Sequence, residues 1–235
     1  MDQPFKSYNG GKSGNGTYQQ IINFIPQCEI FIDAMVGNGG IVSKLKLPKH
    51  TVINDIDAGL IDKYSCEGPR IIKERLDIGA LIDKYDMAQK AFFYFDPPYL
   101  KSTRRGQQDL YKFEWDEMDH LNFLNRILML RNKCMVSHYP CEMYNHYLKG
   151  WKTHLFESMT RTGKAVECIY MNYEQPLVLQ DYRYLGNNFT ERQRIKRKSI
   201  RWVTRLEALP LNERTAIISA VIDKYNYVAG IILNK

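Results

Sequence analysis

Short apolar runs alternate with helix-like stretches over most of the chain, and this alternation limits the folds open to it. Seven runs have the length and the aliphatic and aromatic content of β-strands, at 28–35, 50–55, 70–76, 91–96, 133–138, 151–158 and 165–173. The clearest helices lie between them, at 57–64, 78–85, 115–130 and 141–148. Strands that alternate with helices predict an α/β fold with a largely parallel sheet. The turn-like sequence at 159–164 predicts that the last two strands form a hairpin with one antiparallel strand.

The character of the sequence changes after Pro176, where the strand pattern ends. Residues 179–188 are typical of a linker, and the remainder is helical in pattern. A chain of 235 residues fits one domain of ordinary large size with a small addition. We therefore predict a larger domain over 1–178 and a helical appendage over 179–235.

Two helices are predicted in the appendage. Thr190 and Gln193 form a candidate capping box at the start of the first, and the second spans 212–225. The apolar side of the first helix includes Trp202, which is expected to anchor it to the body or to the second helix. Its other side is basic and is expected to bind nucleic acid through Arg194, Arg197, Lys198, Arg201 and Arg205.

The positive charge of the chain is concentrated in its last quarter. The net charge is +7, with 33 Lys and Arg against 26 Asp and Glu. From Asp181 to the end there are eleven basic and five acidic residues, so this part alone carries +6. Such a distribution indicates a polyanionic partner, of which nucleic acid is the commonest. The alternative is a solvated basic face that only aids solubility.

Cysteine usage and the lack of targeting signals predict a cytoplasmic protein without a membrane segment. No two of the five cysteines form a CxxC pair, and no histidines cluster near them, which argues against a disulfide framework and against a zinc site. They are expected to be small buried hydrophobic residues at Cys28, Cys66, Cys134, Cys141 and Cys168. The first 16 residues lack the pattern of a signal peptide, and no apolar run reaches the length of a transmembrane helix.

Polar or glycine-rich sequences follow the first three predicted strands. The first strand leads into a loop, predicted to open a helix, that contains Gly37, Gly39 and Gly40. Glycine allows the backbone to approach a ligand closely. Asp55 or Asp57 after the second strand suits hydrogen bonding to ribose, or else caps the next helix, and Asp77 after the third has the same two interpretations. Ligands bind at this edge of open α/β sheets.

The fourth strand ends in Asp96-Pro97-Pro98-Tyr99. A carboxylate and a proline carbonyl both accept hydrogen bonds, and the prolines restrict the backbone, so the acceptors are pre-oriented. Tyr99 offers a flat face for stacking. This arrangement suits a planar group with an exocyclic NH2, because two acceptors that hold both hydrogens favour a pyramidal nitrogen with a localised lone pair.

Four stretches together resemble the adenine-specific DNA methyltransferases of the Dam-like family. They are an aromatic residue followed by Gly-Gly-Lys, a cofactor loop, a ribose-binding strand end and the Asp-Pro-Pro-Tyr motif, at 8–16, 31–40, 54–57 and 96–99. Two later stretches also fit strands of such enzymes, at 136–140 and 165–173. The resemblance covers residues 1 to about 175. It implies a Rossmann-like methyltransferase fold, S-adenosylmethionine as cofactor, S-adenosylhomocysteine as product, and no metal.

The resemblance also implies roles for single residues. The cofactor would be held by Tyr8, Lys12, Asp33, Gly37, Asn38, Gly39, Asp55 and Asp77. Within this set, Asp33 and the loop would bind the methionine part, Asp55 the ribose hydroxyls and Asp77 the adenine amine. The catalytic set, which would bind an adenine flipped out of double-stranded DNA, is Asp96, Pro97, Pro98 and Tyr99.

The sequence departs from the family pattern in two places. The cofactor loop begins Asp33-Ala34-Met35 where the family usually has Glu-Pro-Phe, which keeps an acid. The family also inserts a helical target-recognition domain before the catalytic motif, and only two strand–helix units lie between Gly40 and Asp96. Recognition is therefore expected from the basic helix and from the loop at 100–115, through Arg104 and Arg105.

Two other functions remain open at this point. The same motif serves adenine in ribosomal RNA, so the chain could be an RNA methyltransferase. It could also be a nucleic-acid-binding protein whose methyltransferase fold has lost activity. The intact Asp-Pro-Pro-Tyr motif argues against the second alternative.

Overall fold

A computed structural model describes residues 10–14, 16–65, 71–104, 109–160 and 163–225. The strands are β1 Ile30–Asp33, β2 His50–Asn54, β3 Ile71–Glu74, β4 Ala91–Phe95, β5 Lys133–His138, β6 Lys152–Thr160 and β7 Gly163–Met171. The helices are α1 Thr17–Ile22, α2 Ala58–Ile61, α3 Ile78–Tyr85, α4 Glu117–Leu128, α5 Glu142–Tyr147, α6 Phe189–Glu207 and α7 Leu211–Lys224. A 3-10 turn spans Lys101–Thr103. All seven predicted strands are confirmed.

The seven strands form one sheet in the order β3-β2-β1-β4-β5-β7-β6. The pairs from β3 to β5 are parallel, and β7 runs antiparallel to both β5 and β6. Thr160 pairs with Gly163, so the connection is too short for a crossover helix and the chain must reverse. The predicted α/β class is confirmed, as a Rossmann-like methyltransferase fold with a mostly parallel sheet and one antiparallel strand.

The core is built on the central strands. All five residues of β4 are buried, as expected for a parallel strand that is covered on both faces. Phe93 and Phe95 stack on one side of it, and Phe95 meets Phe123 of α4 edge to face. Cys134 and Cys168 lie buried in the sheet, as the sequence predicted, whereas Cys28 and Cys141 are only half-buried. A stiff central strand of this kind places the residue that follows it, Asp96, at a defined point.

The helices confirm the predicted positions with shorter bounds, and one prediction is wrong. The glycine loop does not open a helix, because residues 40–44 form successive turns. α1, which was not predicted, precedes β1. Among the described residues, no helix is both long enough and apolar enough to cross a membrane.

The predicted linker starts at residue 179, which is three residues before the second compact unit begins at Tyr182. Leu179, Gln180 and Asp181 are buried against the first part of the chain. The side chain of Gln180 accepts from the Cys28 backbone N–H at 3.3 Å, and that of Asp181 accepts from the Lys46 backbone N–H at 2.8 Å. Gln180 and Asp181 are polar, so the sequence alone predicts a linker, although their side chains bind backbone groups of the first unit. The chain divides into two compact units, Met1–Asp181 and Tyr182–Lys235.

The second unit contains α6 and α7, and two predictions about α6 are wrong. Its N-cap is Asn188, whose side chain accepts from the Glu191 backbone N–H at 2.9 Å, so Thr190 lies inside the helix. Trp202 is 56% exposed and therefore does not anchor the helix within the described residues. Its ring lies beneath the guanidinium of Arg205, at 5.7 Å.

Candidate active site

A cavity of about 590 Å³ opens at the carboxyl ends of β1, β2 and β4. Because β2 and β4 lie on either side of β1, the crevice sits where the strand order reverses, which is where open α/β sheets bind ligands. Its walls include parts of the segments 10–12, 33–41, 54–57, 76–79, 94–98 and 111–115. The cavity thus brings together most of the sequence-predicted site residues.

The glycine loop is packed tightly from two sides. Gly39 has a positive φ of 69°, and a Cβ there would lie 2.8 Å from the Tyr64 hydroxyl. A Cβ on Gly40 would lie 2.8 Å from the backbone nitrogen of Ser13. Only glycine permits this approach, which lays the Gly-Gly-Lys segment directly on the loop. Gly37 and Asn38 line the cavity, whereas Gly39 is not part of its lining.

Asp33 ends β1 and lines the cavity, although it is only 2% exposed. Its carboxylate makes no hydrogen bond or ion pair with any described residue. Burial raises the pKa of Asp33 well above its usual value, and the neighbouring carboxylates of Asp96 and Asp55 raise it further. A buried carboxylate in this state favours a cationic ligand that would restore its charge.

Asp55 follows β2 and both of its oxygens are engaged by backbone. One accepts from Gly37 N–H and the other from Asp57 N–H, each at 3.0 Å. Burial raises the pKa of Asp55, while these two hydrogen bonds act against the rise. The carboxylate ties the glycine loop to β2 and still lines the cavity, with lone pairs free for a further donor.

Two other aspartates at strand ends cap helices. Asp57 accepts from Gly59 N–H at 3.1 Å at the start of α2. Asp77 accepts from Ala80 N–H at 3.0 Å at the start of α3. The helix-cap interpretation is therefore right for both. Both also line the cavity, so capping does not withdraw Asp77 from the predicted cofactor set.

Asn54 is a site residue that the sequence analysis missed. It ends β2 and is 1% exposed. Its amide donates to the carbonyls of Ala34 and Leu76, and its oxygen accepts from Leu76 N–H, at 2.9–3.0 Å. It therefore joins the segments after β1 and β3 across the end of β2. Its place directly before Asp55 in "NDID" was the available signal.

Asp96 binds a lysine and a serine through one oxygen. Its Oδ1 lies 2.9 Å from the Nζ of Lys12 and accepts from the Ser137 hydroxyl at 2.8 Å. Its Oδ2 has no partner among the described residues. Burial raises the pKa of Asp96, and Lys12 and Ser137 oppose this rise. Burial alone would lower the pKa of Lys12, but the Asp96 and Glu167 carboxylates outweigh it and keep the ammonium charged.

Lys12 lines the cavity, and its expected part in holding the cofactor stays a prediction. In this structure its ammonium pairs with the Asp96 carboxylate. The reason is the close packing of its backbone on Gly40, which directs the side chain across the cavity toward the end of β4. Ser137 on β5 reaches Asp96 because β5 is the neighbour of β4.

Tyr99 is buried rather than open to the cavity. It is 5% exposed, and its hydroxyl donates to the carboxylate of Glu167 on β7 at 2.7 Å. The Nζ of Lys12 stands 4.7 Å from the centre of its ring. Tyr139 contacts the ring edge to face, at 4.6 Å between centres. Asp96 and Pro98 form the cavity wall, whereas Pro97 and Tyr99 lie behind it.

His138, at the end of β5, supports the backbone just after the Asp-Pro-Pro-Tyr segment. Its Nε2 accepts from Leu100 N–H at 2.8 Å, so Nδ1 carries the proton and donates to the Tyr139 carbonyl at 2.7 Å. Its ring stacks on Tyr144 at 4.0 Å and 9°. Burial lowers the pKa of His138 to about 3, so the ring is neutral. Sequence reasoning treated this residue only as part of a strand.

Arg104 is not available to a nucleic acid in this structure. Its side chain is 4% exposed and forms a two-point salt bridge with Glu114, at 2.9 and 2.8 Å. It also donates to the Tyr99 carbonyl at 2.6 Å. Glu114 in turn accepts from the Leu110 and Tyr111 backbone N–H groups. The predicted substrate contact is therefore corrected: Arg104 fixes the loop at 109–115 to the backbone of Tyr99.

The segment 109–115 forms one wall of the cavity. Five of its residues line the cavity, namely Tyr111, Lys112, Phe113, Glu114 and Trp115. Lys112 forms an exposed ion pair with Asp57, at 3.1 Å, so the segment reaches from the catalytic motif to the start of α2. The sequence analysis expected this loop to contact substrate at the mouth of the site and did not predict that it would line the cavity at the strand ends.

The cavity is acidic. Seven carboxylates line it against three basic side chains, which are Lys12, Lys112 and Arg126. Each of these bases is near an acid: Lys12 pairs with Asp96, Lys112 with Asp57 and Arg126 with Asp83. The cavity therefore repels phosphate groups and favours a ligand that carries positive charge.

The predicted nucleic-acid-binding side chains of α6 are exposed. Arg194 pairs with Glu191 at 3.4 Å. Arg197, Lys198 and Arg201 make no ion pair with any described residue, and Arg205 lies over Trp202.

Three residues singled out from the sequence lie outside the described residues, namely Tyr8, Cys66 and Arg105. Within the described ranges, no group of three or more His, Cys, Asp or Glu side chains is arranged to hold a metal ion.

The sequence matches no protein-family model and no curated protein. Solved structures of similar topology include the N-methyltransferase NodS from Bradyrhizobium japonicum, at 11% identity over 67% of this chain and 94% of that one, with a TM-score of 0.46. They also include a SAM-dependent methyltransferase from Agrobacterium tumefaciens, at 11% identity over 66% and 58%, with a TM-score of 0.43. An rRNA methylase from Streptococcus thermophilus matches at 16% identity over 66% and 90%, with a TM-score of 0.37. Similarity at this level assigns neither a family nor an activity.

Proposed function

We propose that this protein transfers a methyl group from S-adenosylmethionine to the exocyclic amine of an adenine in double-stranded DNA. The observation that carries the proposal is the presence of two carboxylates, Asp33 and Asp96, in the wall of one cavity. Asp33 has no partner and favours a cation, and Asp96 follows a buried strand in an Asp-Pro-Pro-Tyr motif. Asp33 would bind the ammonium group of the cofactor, and Asp96 would accept hydrogen bonds from the amine of the target base.

The acidic cavity supports S-adenosylmethionine over a cofactor with a pyrophosphate. S-Adenosylmethionine carries an ammonium and a sulfonium group, whereas a dinucleotide carries two phosphates. Phosphate sites use the N-terminus of a helix after a glycine loop, and here that loop is followed by turns. Asp33 would hold the ammonium, Asp55 the ribose hydroxyls and Asp77 the adenine amine. When bound, the cofactor supplies an activated methyl group.

Asp96 is suited to accept the hydrogens of the target amine. Its Oδ2 has no partner within the described residues, and its Oδ1 is oriented by Ser137. An acceptor held in this way does not need to reorient during the reaction, which is the usual source of such stabilisation. The target adenine must leave the helical stack to reach it.

The α6 helix supports a nucleic-acid substrate. Three consecutive basic side chains and two more, one and two turns on, are exposed: Lys196, Arg197, Lys198, Arg201 and Arg205. Like charges on one helix repel, and phosphate groups would relieve the repulsion while releasing counterions. The expected result is a tight but salt-sensitive grip on a nucleic-acid backbone.

An RNA methyltransferase is the second candidate. Phosphate contacts from α6 would serve either nucleic acid, and Asp96 would accept the same amine from either. A nucleic-acid-binding protein without activity is the third, and failure to bind the cofactor would support it.

The test is direct. Purified protein is incubated with methyl-labelled S-adenosylmethionine and, separately, with duplex DNA and structured RNA, and the products are digested and analysed for N6-methyladenine. We expect label in DNA, and a loss of at least about a hundredfold in the Asp96→Ala variant, which should still bind the cofactor. Label confined to RNA would favour the second candidate. An Asp96→Ala variant with near-normal turnover would contradict the assignment of the catalytic carboxylate.

A further inference from the structure

Glu167 is a buried carboxylate in the catalytic region that no sequence motif marks. It lies on β7 and is 5% exposed. β7 pairs with β5, which places Glu167 near the end of β5 and beside Tyr99. Its Oε2 accepts from the Tyr99 hydroxyl at 2.7 Å and lies 3.9 Å from the Nζ of Lys12. One oxygen thus faces both the stacking residue and the lysine of the site.

Lys12 covers the face of Tyr99 on which a target base would stack. Its Nζ is 2.9 Å from Asp96 Oδ1 and 4.7 Å from the centre of the Tyr99 ring. An amine that donates to Asp96 from a base stacked on Tyr99 would lie at a similar hydrogen-bond distance from the carboxylate. Asp96 Oδ2 is free to accept the amine, but a base stacked on Tyr99 would fill the space over the ring in which Nζ stands. Lys12 must therefore move before the base can bind.

The displaced ammonium needs another partner. Lys12 is 6% exposed, and a buried ammonium without a counterion is strongly unfavourable. Glu167 is the nearest candidate, because a shift of about 1 Å would bring Nζ from 3.9 Å to ordinary hydrogen-bond distance. The Gly10 carbonyl already accepts from Lys12 at 3.0 Å and limits how far the side chain must move.

We propose that Glu167 is a positioning residue that receives the ammonium of Lys12 when the target base binds Asp96, and that holds the Tyr99 ring in place throughout. The lysine would thus alternate between two carboxylates without losing its proton. This inference rests on the proposed function, since it gives Asp96 an amine as its ligand. It assigns to Lys12 and Glu167 a role in admitting the substrate.

The first test needs no substrate. Asp96→Asn removes the charge that holds Lys12 and should move the ammonium to Glu167. The coupling between Lys12→Met and Glu167→Gln is measured from unfolding equilibrium constants in urea, with Asp96 and with Asn at that position. We expect the coupling factor to be at least about fivefold larger in the Asp96→Asn background. An equal or smaller factor would overturn the transfer of the lysine.

A crystal structure of the Asp96→Asn single variant provides a second measurement if the multiple variants unfold. It should show Lys12 Nζ within about 3 Å of Glu167 Oε2. An unmoved lysine would contradict the proposal.

The last arm uses single-turnover methyl transfer on the nucleic acid that the wild-type protein modifies. Glu167→Gln keeps an acceptor for Tyr99 but removes the charge, so we expect at least about a tenfold loss when Lys12 is present and a clearly smaller loss in the Lys12→Met background. An equal loss of rate in the two backgrounds would mean that Glu167 has only a structural role. If the wild-type protein methylates no nucleic acid, the proposed function fails, while the unfolding and crystallographic measurements still decide the movement of Lys12.

Discussion

At the scale of single residues, the site depends on three carboxylates that differ in the partners that the fold gives them. Asp33 is buried without a partner, Asp55 is engaged by two backbone N–H groups, and Asp96 is paired with Lys12. Burial raises the pKa of all three, but only Asp33 lacks a donor within the described residues that would lower it again. Of the three carboxylates, Asp33 should therefore be stabilised most in its charged form when a cationic ligand binds.

We expect Asp33→Asn to weaken S-adenosylmethionine binding and to stabilise the protein without ligand. The loss of a hydrogen bond between charged groups typically costs about 1.5–3 kcal/mol, which corresponds to roughly a ten- to hundredfold weaker binding. The variant also removes a carboxylate whose folded pKa is raised, so at pH 7 it no longer opposes folding. Calorimetry with the cofactor and thermal unfolding without it measure the two effects.

The control for this variant is Asp57→Asn. Asp57 also lines the cavity and caps α2, but it pairs with Lys112. The Asp57→Asn variant keeps the cap, loses only the exposed ion pair with Lys112, and should bind the cofactor nearly as well as the wild type. If Asp33→Asn binds the cofactor with unchanged affinity, Asp33 does not hold the ammonium group.

At the scale of elements, the Asp-Pro-Pro-Tyr motif is supported from β5 and from the loop at 109–115. His138 of β5 accepts from Leu100 N–H, and Arg104 joins the Tyr99 carbonyl to Glu114. These contacts hold the turn after β4 from both sides, and they explain why a segment without regular structure can keep acceptors oriented. The support requires a neutral His138, because a protonated Nε2 could not accept.

The neutral state of His138 predicts a specific dependence of stability on pH. Its pKa is about 3 in the folded protein and about 6.5 when unfolded, so between these values the unfolded chain binds more protons. The contribution of His138 is fully present above pH 6.5 and is lost as the pH falls toward 3. From pH 7.5 to pH 5 the loss should be about 2 kcal/mol.

His138→Gln should remove this dependence, because glutamine offers an acceptor to Leu100 and does not titrate. Urea unfolding of wild type and variant at pH 7.5 and 5 measures the difference, while His120, whose pKa burial lowers to about 4, titrates in both proteins. Identical changes in the free energy of unfolding for the two proteins would show that His138 is not held neutral.

At the scale of the whole molecule, the acidic cavity and the basic helix α6 belong to different compact units of the chain. The unit Met1–Asp181 holds the cavity with its seven carboxylates, and the unit Tyr182–Lys235 holds the exposed cations of α6. A cationic cofactor and a polyanionic substrate would thus meet oppositely charged surfaces on one chain. The division also gives a defined point for truncation.

We expect a chain truncated after Asp181 to keep its fold and cofactor binding but to bind nucleic acid more weakly. Asp181 must be retained, since it accepts from Lys46 N–H. The slope of log affinity against log salt should become shallower by roughly one for each phosphate contact that is lost. Filter binding at several salt concentrations measures this slope.

The matched control changes the same number of charges in different places. One full-length variant replaces three exposed basic residues of α6 by glutamine, at Arg197, Lys198 and Arg201, and the other replaces three of the first unit, at Lys90, Lys149 and Lys164. The first should behave like the truncated chain and the second like the wild type. Equal effects would mean that net charge, rather than α6, determines binding.

The sequence by itself determined the fold and the edge of the sheet that carries the site. Apolar periodicity predicted all seven strands, and a hairpin turn predicted the antiparallel one, because both are set by local patterns. The acids at strand ends, Asp33, Asp55, Asp77 and Asp96, all line the cavity, since the carboxyl ends of parallel strands meet at one edge.

Only the tertiary structure decided which side chains pair. Glu167 and Ser137 reach the catalytic motif through strand pairing over 68 and 41 residues of sequence, and no local pattern reports such distances. Lys12 reaches Asp96 because Gly40 lets two backbone segments pack closely. Arg104 forms a buried salt bridge with Glu114 instead of extending from the loop. A residue's chemistry is written in the sequence, but its partner depends on packing between segments that are distant along the chain.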